Sequence, residues 1–369
     1  MKEGPLARAG ASFAAACERL FPDAFVFALG AVLLAFAAGL GLGERPAALV
    51  RAFGDSFWSL IPFTMQMALV IVGGFTVASA PPVARLIERL ARLPRTPRQA
   101  VALVALFAML ASLLSWGLSL VFTGLLVRAV VRRVEGIDYR AIGAAAYLGL
   151  GSVWALGLSS SAALLQASPA SIPPALLPVT GVLPLSQTVF LWQSLAMAAV
   201  LISVSVAIAW WSHPDPSRAR SAASMGVRFE PEPGELAPSG SRRPGEGPGG
   251  EAFAAAPTVA ARLDRLPLPG IAVALLLFTW LAIQVVEKGF VAAFDLNNFN
   301  MAFLAAGMLL HARPSSFLRA VARSVPATAG VLIQFPFYAG IFGLISKTAV
   351  APALAGLFVR VTTRGTFPV

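Results

Sequence analysis

Residues Gln99–Val127, QAVALVALFAMLASLLSWGLSLVFTGLLV, run for 29 positions without a charge, between Arg95 and Arg98 on one side and Arg128, Arg132 and Arg133 on the other. Lys and Arg concentrate on the cytoplasmic side of short membrane loops, so two basic ends mark a segment that enters and leaves by the same face. Lipid offers no partner to peptide groups, and a turn at membrane depth survives only when it is packed in protein or lines a solvated cavity. The middle of the run, Ser115-Trp116-Gly117-Leu118-Ser119, is small and polar where an ordinary span carries Leu and Val. The segment reads as a re-entrant hairpin, which points to a transporter.

The distribution of basic residues tests this reading. With a cytoplasmic N-terminus and a hairpin at 99–127, the inner segments 1–21, 81–98, 128–140, 213–267 and 313–323 hold 22 Lys and Arg. The outer segments 44–56, 287–295 and the residues after 346 then hold six. If 99–127 crosses once as a long tilted span, every later segment changes side, and the balance becomes 12 inside against 16 outside. Only the hairpin gives the usual positive-inside bias.

At 57% apolar and 12% charged, the chain reads as an all-α polytopic membrane protein. Its net charge of +11 lies mainly in Arg-rich loops, which fits orientation in a membrane and argues against a nucleic-acid partner. Cys17 is the single cysteine, so no internal disulfide forms. Phe13-Ala14-Ala15-Ala16-Cys17 resembles a lipoprotein cleavage site only superficially; an amphipathic helix on the inner face is the preferred reading.

The first membrane half, 1–212, has expected spans at about 22–43, 57–80, 141–164 and 183–212, with the hairpin between the second and third. Val83–Leu93 reads as a surface helix with Leu86, Leu90 and Leu93 on its apolar face. Gly157-Leu158-Ser159-Ser160-Ser161 interrupts the span at 141–164, and a stretch with Pro169, Pro173, Pro174 and Pro178 follows outside. Residues 213–267, rich in Pro, Gly, Ser and charge, are expected to be a disordered cytoplasmic linker. The second half, 268–369, has expected spans at 268–286, 296–312 and 324–346, with Asp295 capping the second and a surface helix at 348–361.

A faint repeat joins the halves. A span with Gln66 and Gly73-Gly74, a surface helix and Arg95-Thr96-Pro97 precede the hairpin; a span with Gln334, Gly340 and Gly343, a surface helix and Arg364-Gly365-Thr366-Phe367-Pro368 close the chain. The Gln66 span runs inward and the Gln334 span outward, the relation of inverted repeats in secondary transporters. A second hairpin is expected just after Val369 and is missing from the sequence.

Four stretches resemble the bacterial short-chain fatty acid transporter family: Leu20–Ala28 (LFPDAFVFA), Phe53–Gly74 (FGDSFWSLIPFTMQMALVIVGG), Asn298–Pro314 (NFNMAFLAAGMLLHARP) and Ala329–Ile341 (AGVLIQFPFYAGI). The resemblance implies an inner-membrane carrier of acids such as acetoacetate and butyrate, related to transporters with paired re-entrant hairpins. Family members carry Asn-Trp-Gly at the hairpin tip, where this chain has Ser115-Trp116-Gly117. They also continue past Val369 with a further hairpin and a final membrane segment, so the resemblance implies that the last sixth is absent.

A short-chain carboxylate needs hydrogen-bond donors and positive helix ends for its head and an apolar wall for its tail, and helix breaks at the midplane supply the former. The candidate substrate-binding residues are Ser115, Trp116, Gly117 and Ser119 at the tip, Ser159, Ser160 and Ser161 at the break, and the isolated polar groups Gln66, Gln334 and Tyr338. For each serine, small-residue packing with a bond to its own helix stands beside the site reading. Pro336 is expected to break its helix locally.

No Asp, Glu, Lys or Arg falls in the middle of an assigned span. This leaves two coupling schemes, Na+ held by carbonyls and hydroxyls or entry of the acid with its proton (H+), and no other cofactor. No intramembrane carboxylate pair, metal-ligand cluster or Ser–His pair suggests an enzyme. A carrier of another small organic anion, or a transport-inactive remnant or interaction protein, is the alternative. The expected partners are the lipid bilayer, the carboxylate substrate and a second copy in a homo-oligomer.

Overall fold

A computed structural model of the protein describes residues 10–362 except 11, 14, 15, 18, 169–171, 173–176, 215–218, 228–263 and 265. Most of the linker expected to be disordered at 213–267, the prolines 169, 173 and 174, and the second-half motif at 364–368 lie outside the described residues.

The main helices are α1 (Ala24–Gly41), α2 (Pro46–Gly54), α3 (Ile61–Ala78), α4 (Pro81–Leu90), α5 (Pro97–Leu114), α6 (Trp116–Val131), α7 (Tyr139–Leu148), α8 (Ser161–Ala167), α9 (Trp192–Ser212), α10 (Pro267–Lys288), α11 (Leu296–His311), α12 (Pro314–Ser346) and α13 (Val350–Val361). Among the described residues, seven helical stretches, at 24–41, 61–78, 97–114, 139–167, 192–212, 267–288 and 314–346, are long and apolar enough to cross a membrane. The chain is an all-α polytopic membrane protein.

Local chemistry sets the helix starts. Asp23, Thr96, Asp138 and Asp295 accept N–H groups of the first turns of α1, α5, α7 and α11. Asp295 accepts from Asn298 at 2.8 Å, the cap expected from the sequence. Proline occupies the first turn of α2, α3, α4, α5, α10 and α12, where its missing N–H leaves no bond unmade.

Apolar burial separates the helices into two groups. The main core gathers α3, both arms α5 and α6, α7, α8 and the start of α11. By contrast α9 packs on the core by one face only, through Ala209 with Leu201, Ile202 and Val206, and is otherwise exposed, with Trp192 72% and Trp211 73% exposed at its ends. These rings stand about 28 Å apart at 1.5 Å per residue, close to the ~30 Å hydrocarbon thickness, so α9 faces lipid with an aromatic at each interface. In α4, Ile87 and Leu90 enter the core while Leu86 and Leu93 remain exposed, so the packed face is rotated from the one the leucine spacing suggests.

α5 and α6 form an antiparallel pair reversed at the single residue Ser115. Ser119 Oγ donates to the Ala108 carbonyl at 2.7 Å, across eleven residues of chain. Both open ends of the pair lie at α4: six residues join α4 to α5, and Arg133, just after α6, pairs with Glu88 of α4.

Other long-range bonds follow the same sidedness. Glu44 accepts from Ala349 N–H, and Ser168 Oγ accepts from Leu296 N–H, linking segments that the hairpin topology puts outside. Thr76 O meets His311 Nε2 at 2.9 Å, Asp264 O accepts from Ser315 N–H, and Asp138 meets Arg220, all on the opposite side. A single crossing at 99–127 would put Glu44 and Ala349 on different faces.

Three expectations need correction. The span placed at 183–212 becomes helical only at Trp192, because Leu183 N–H bonds to Gln166 O and residues 185–187 make a 3-10 turn. The helix placed at 324–346 extends back to Pro314 and spans 33 residues, about 50 Å, of which 324–346 is the charge-free part. It also passes through Pro326 and Pro336 without the expected break. Each proline removes one bond, and the helix around them is packed on α3 and α2, with the Phe335 ring stacked on Phe63 at 5.7 Å.

Candidate functional site

The hairpin tip lies against the middle of α3. A Cβ on Gly117 would stand 2.7 Å from Val70 O, and one on Gly74 would stand 2.3 Å from Leu118 N. Val70 and Ile71 lie near the midpoint of α3, so Ser115 turns at the level of the middle of that helix. Glycine at 74 and 117 is what lets two backbones approach this closely.

The same depth holds a second break. After α7 the chain makes a π turn at Gly149–Val153 and a 3-10 turn at Trp154–Leu156, leaves helical geometry at Gly157 and restarts at Ser161. The two breaks are bonded to each other. Trp116 N–H donates to Ser159 Oγ at 2.8 Å, and Leu158 N–H donates to Leu113 O at 2.7 Å. Ser112 Oγ, nearby on α5, donates to Gly149 O at 2.9 Å.

The sequence candidates thus divide. Ser115, Gly117, Ser119, Ser159 and Ser160 come together, and the four serines among them are at most 1% exposed. Ser115 Oγ caps α6 by accepting from Leu118 N–H, and Ser160 Oγ caps α8 by accepting from Ala163 N–H, both at 3.3 Å. Ser119 bonds the opposite arm. Ser161 opens α8 and is half-buried, as is the Trp116 side chain. The hydroxyls therefore hold the two breaks in register as well as lining them.

Gln66 lies one helical turn from Val70, on the same side of α3. Its Nε2 donates to Asn297 Oδ1 at 2.7 Å, and its carbonyl accepts from Asn300 Nδ2 at 2.9 Å. Gln334 and Tyr338 bond to each other along α12, Tyr338 Oη to Gln334 Oε1 at 3.1 Å, and no described contact brings either to the serines. Asn300, absent from the sequence candidates, is 3% exposed with a buried Oδ1 that lacks a hydrogen-bond partner. Its signal in the sequence is a third Asn placed beyond the reach of the cap.

Between these breaks and the α10–α11 pair lies a cavity of about 260 Å³ lined by Leu114, Leu158, Leu281, Phe294, Asn298 and Ala302, among others. At the N-terminal end of α7, buried Asp138 accepts from Arg140 and from the N–H groups of Ala141 and Arg220, and its own N–H meets His213 Nε2 at 3.2 Å. Burial alone would raise the Asp138 carboxyl, but these hydrogen bonds and the Arg140 charge hold it below the ordinary value. The first residues of the linker are thereby tied to α7 and α9. Among the described residues no group of His, Cys, Asp or Glu is arranged to hold a metal ion.

Paired helix breaks packed together within a polytopic helical protein are the arrangement in which membrane transport proteins build their sites. The particular family follows from comparison: the profile described as "Short chain fatty acid transporter" matches residues 5–369, and the chain belongs to that family. It is 33% identical over 353 residues to an Escherichia coli (strain K12) protein named as a short-chain fatty acid transporter, covering 95% of this chain and 75% of that one. A Haemophilus influenzae (strain ATCC 51907 / DSM 11121 / KW20 / Rd) protein of the same name is 27% identical over 357 residues, with the same coverage. No solved structure matches the chain.

Proposed function

We propose that the protein is a secondary carrier of short-chain monocarboxylates, of the acetoacetate and butyrate kind, that works by alternating access across the bacterial inner membrane with its N-terminus in the cytoplasm. The observation that carries this reading is the bonded meeting of two helix breaks, Ser115 and 157–160, at the depth of the α3 midpoint. There the positive end of the α6 dipole favours a carboxylate, and the Ser115, Ser159 and Ser160 hydroxyls, which accept helix N–H groups, have their own protons to donate.

Sidedness of the long-range bonds supports a re-entrant hairpin at 99–127, and the close packing of α3 on α12 supports the inverted-repeat relation of their spans. Coupling proceeds through Na+ held by carbonyls and hydroxyls or through H+ carried in by the acid, and a homo-oligomer is the expected assembly. A carrier of another small organic anion is the alternative reading.

The test is uptake of labelled butyrate into proteoliposomes under an imposed sodium or proton gradient. Saturable uptake that excess acetoacetate suppresses supports the proposal. Absence of saturable uptake together with absence of butyrate binding by the purified protein overturns it.

A further inference from the structure

The 260 Å³ cavity beside the breaks is apolar, and two of its lining residues, Leu114 and Leu158, adjoin them. Leu114 immediately precedes the tip serine, and Leu158 immediately precedes Ser159, with its N–H fixed on Leu113 O. The facing wall comes from Leu281 of α10, Phe294, and Asn298 and Ala302 of α11. Asn298 Nδ2 is already committed to Ala293 O at 2.8 Å. A polar head gains little by entering this space. A hydrocarbon chain entering it would leave its head at the serine-capped breaks.

Water occupies about 30 Å³ per molecule in the liquid, so the cavity has room for a chain of several carbons rather than a single methyl. We propose that this cavity seats the acyl chain of the carried acid and sets its chain-length preference, with Ala302 and Leu158 as the residues that fix the available length. The inference rests on the carrier reading given above. Each buried methylene contributes about 0.8 kcal/mol, or roughly four-fold in affinity. Affinity therefore rises from acetate through butyrate to hexanoate until the space is filled.

The experiment is displacement of labelled butyrate from the full chain, purified, by acetate, butyrate and hexanoate, in wild type, Ala302→Leu and Leu158→Ala. Leu at 302 takes space equal to about three methylenes, and the hexanoate-to-acetate affinity ratio falls by about ten-fold or more. Ala at 158 opens the floor and raises that ratio, so the test survives a failure of either variant to fold. A ratio unchanged in whichever variants fold overturns the inference and leaves the cavity as a seat for a lipid chain. Equal loss for all three acids also overturns it, since that is the mark of a disturbed head site. If no acid displaces butyrate from the wild type, the carrier reading fails instead.

Discussion

Substituting Gly74 by Ala tests the meeting of α3 with the hairpin tip. The added Cβ would lie 2.3 Å from Leu118 N and 2.5 Å from Gly117 C, both backbone atoms that cannot swing aside. Either α6 retreats from α3 or the tip unwinds. Overpacking of this kind costs about 1–3 kcal/mol, and more where no side chain can yield. Gly124 offers the control, because it lies on the same α6 with nothing within 4 Å of its Cβ position. Gly124→Ala removes a glycine from an exposed helix position and is expected to stabilise by up to ~1 kcal/mol. The two variants should differ by about 2–4 kcal/mol in equilibrium unfolding in mixed micelles. Gly74→Ala should also weaken butyrate binding, because the tip is displaced. A Gly74→Ala protein as stable as Gly124→Ala would refute the close approach on which the depth of the site depends.

Further predictions concern topology and the inner node. With Cys17 replaced, single cysteines at the exposed positions Arg98 and Glu135 should both label from the cytoplasm; labelling from opposite faces would eliminate the hairpin. Asp138→Ala should destabilise the protein by about 1–3 kcal/mol at neutral pH, by stripping an acceptor from several donors around α7. The native carboxyl titrates lower than the unfolded one, near ~3.9, so its contribution is fully present above that pH and is lost as pH falls through the lowered native value. Unfolding free energies of wild type and variant should therefore converge in acid, and a difference that grows on acidification would contradict the assignment.

Much of the architecture was legible because it follows from solvent. The small polar residues at 115–119 in a charge-free run marked the reversal between α5 and α6, and Gly157 with three serines marked the broken element, since each reports what lipid tolerates locally. The missed features are tertiary. The π turn at Gly149–Val153 and the non-helical stretch before Trp192 depend on bonds to distant residues, Ser112 and Gln166. Nothing near Pro336 in sequence reveals that its helix would continue through it. Asn300 looks like a capping residue until Gln66, 234 positions away, is seen to accept its amide. Gln334 and Tyr338 were isolated polar groups in the sequence, yet they satisfy each other one turn apart.

The central claim is that the carboxylate is held where the hairpin tip meets the broken element, and butyrate affinity in serine variants tests it most directly. Ser115→Ala and Ser160→Ala should each weaken binding by about 1–3 kcal/mol, roughly five- to 150-fold. Ser203→Ala, on the lipid-facing α9 where Oγ bonds only Ala199 O, should leave affinity unchanged. Properly folded Ser115 and Ser160 variants that bind butyrate as tightly as the Ser203 variant would contradict the account.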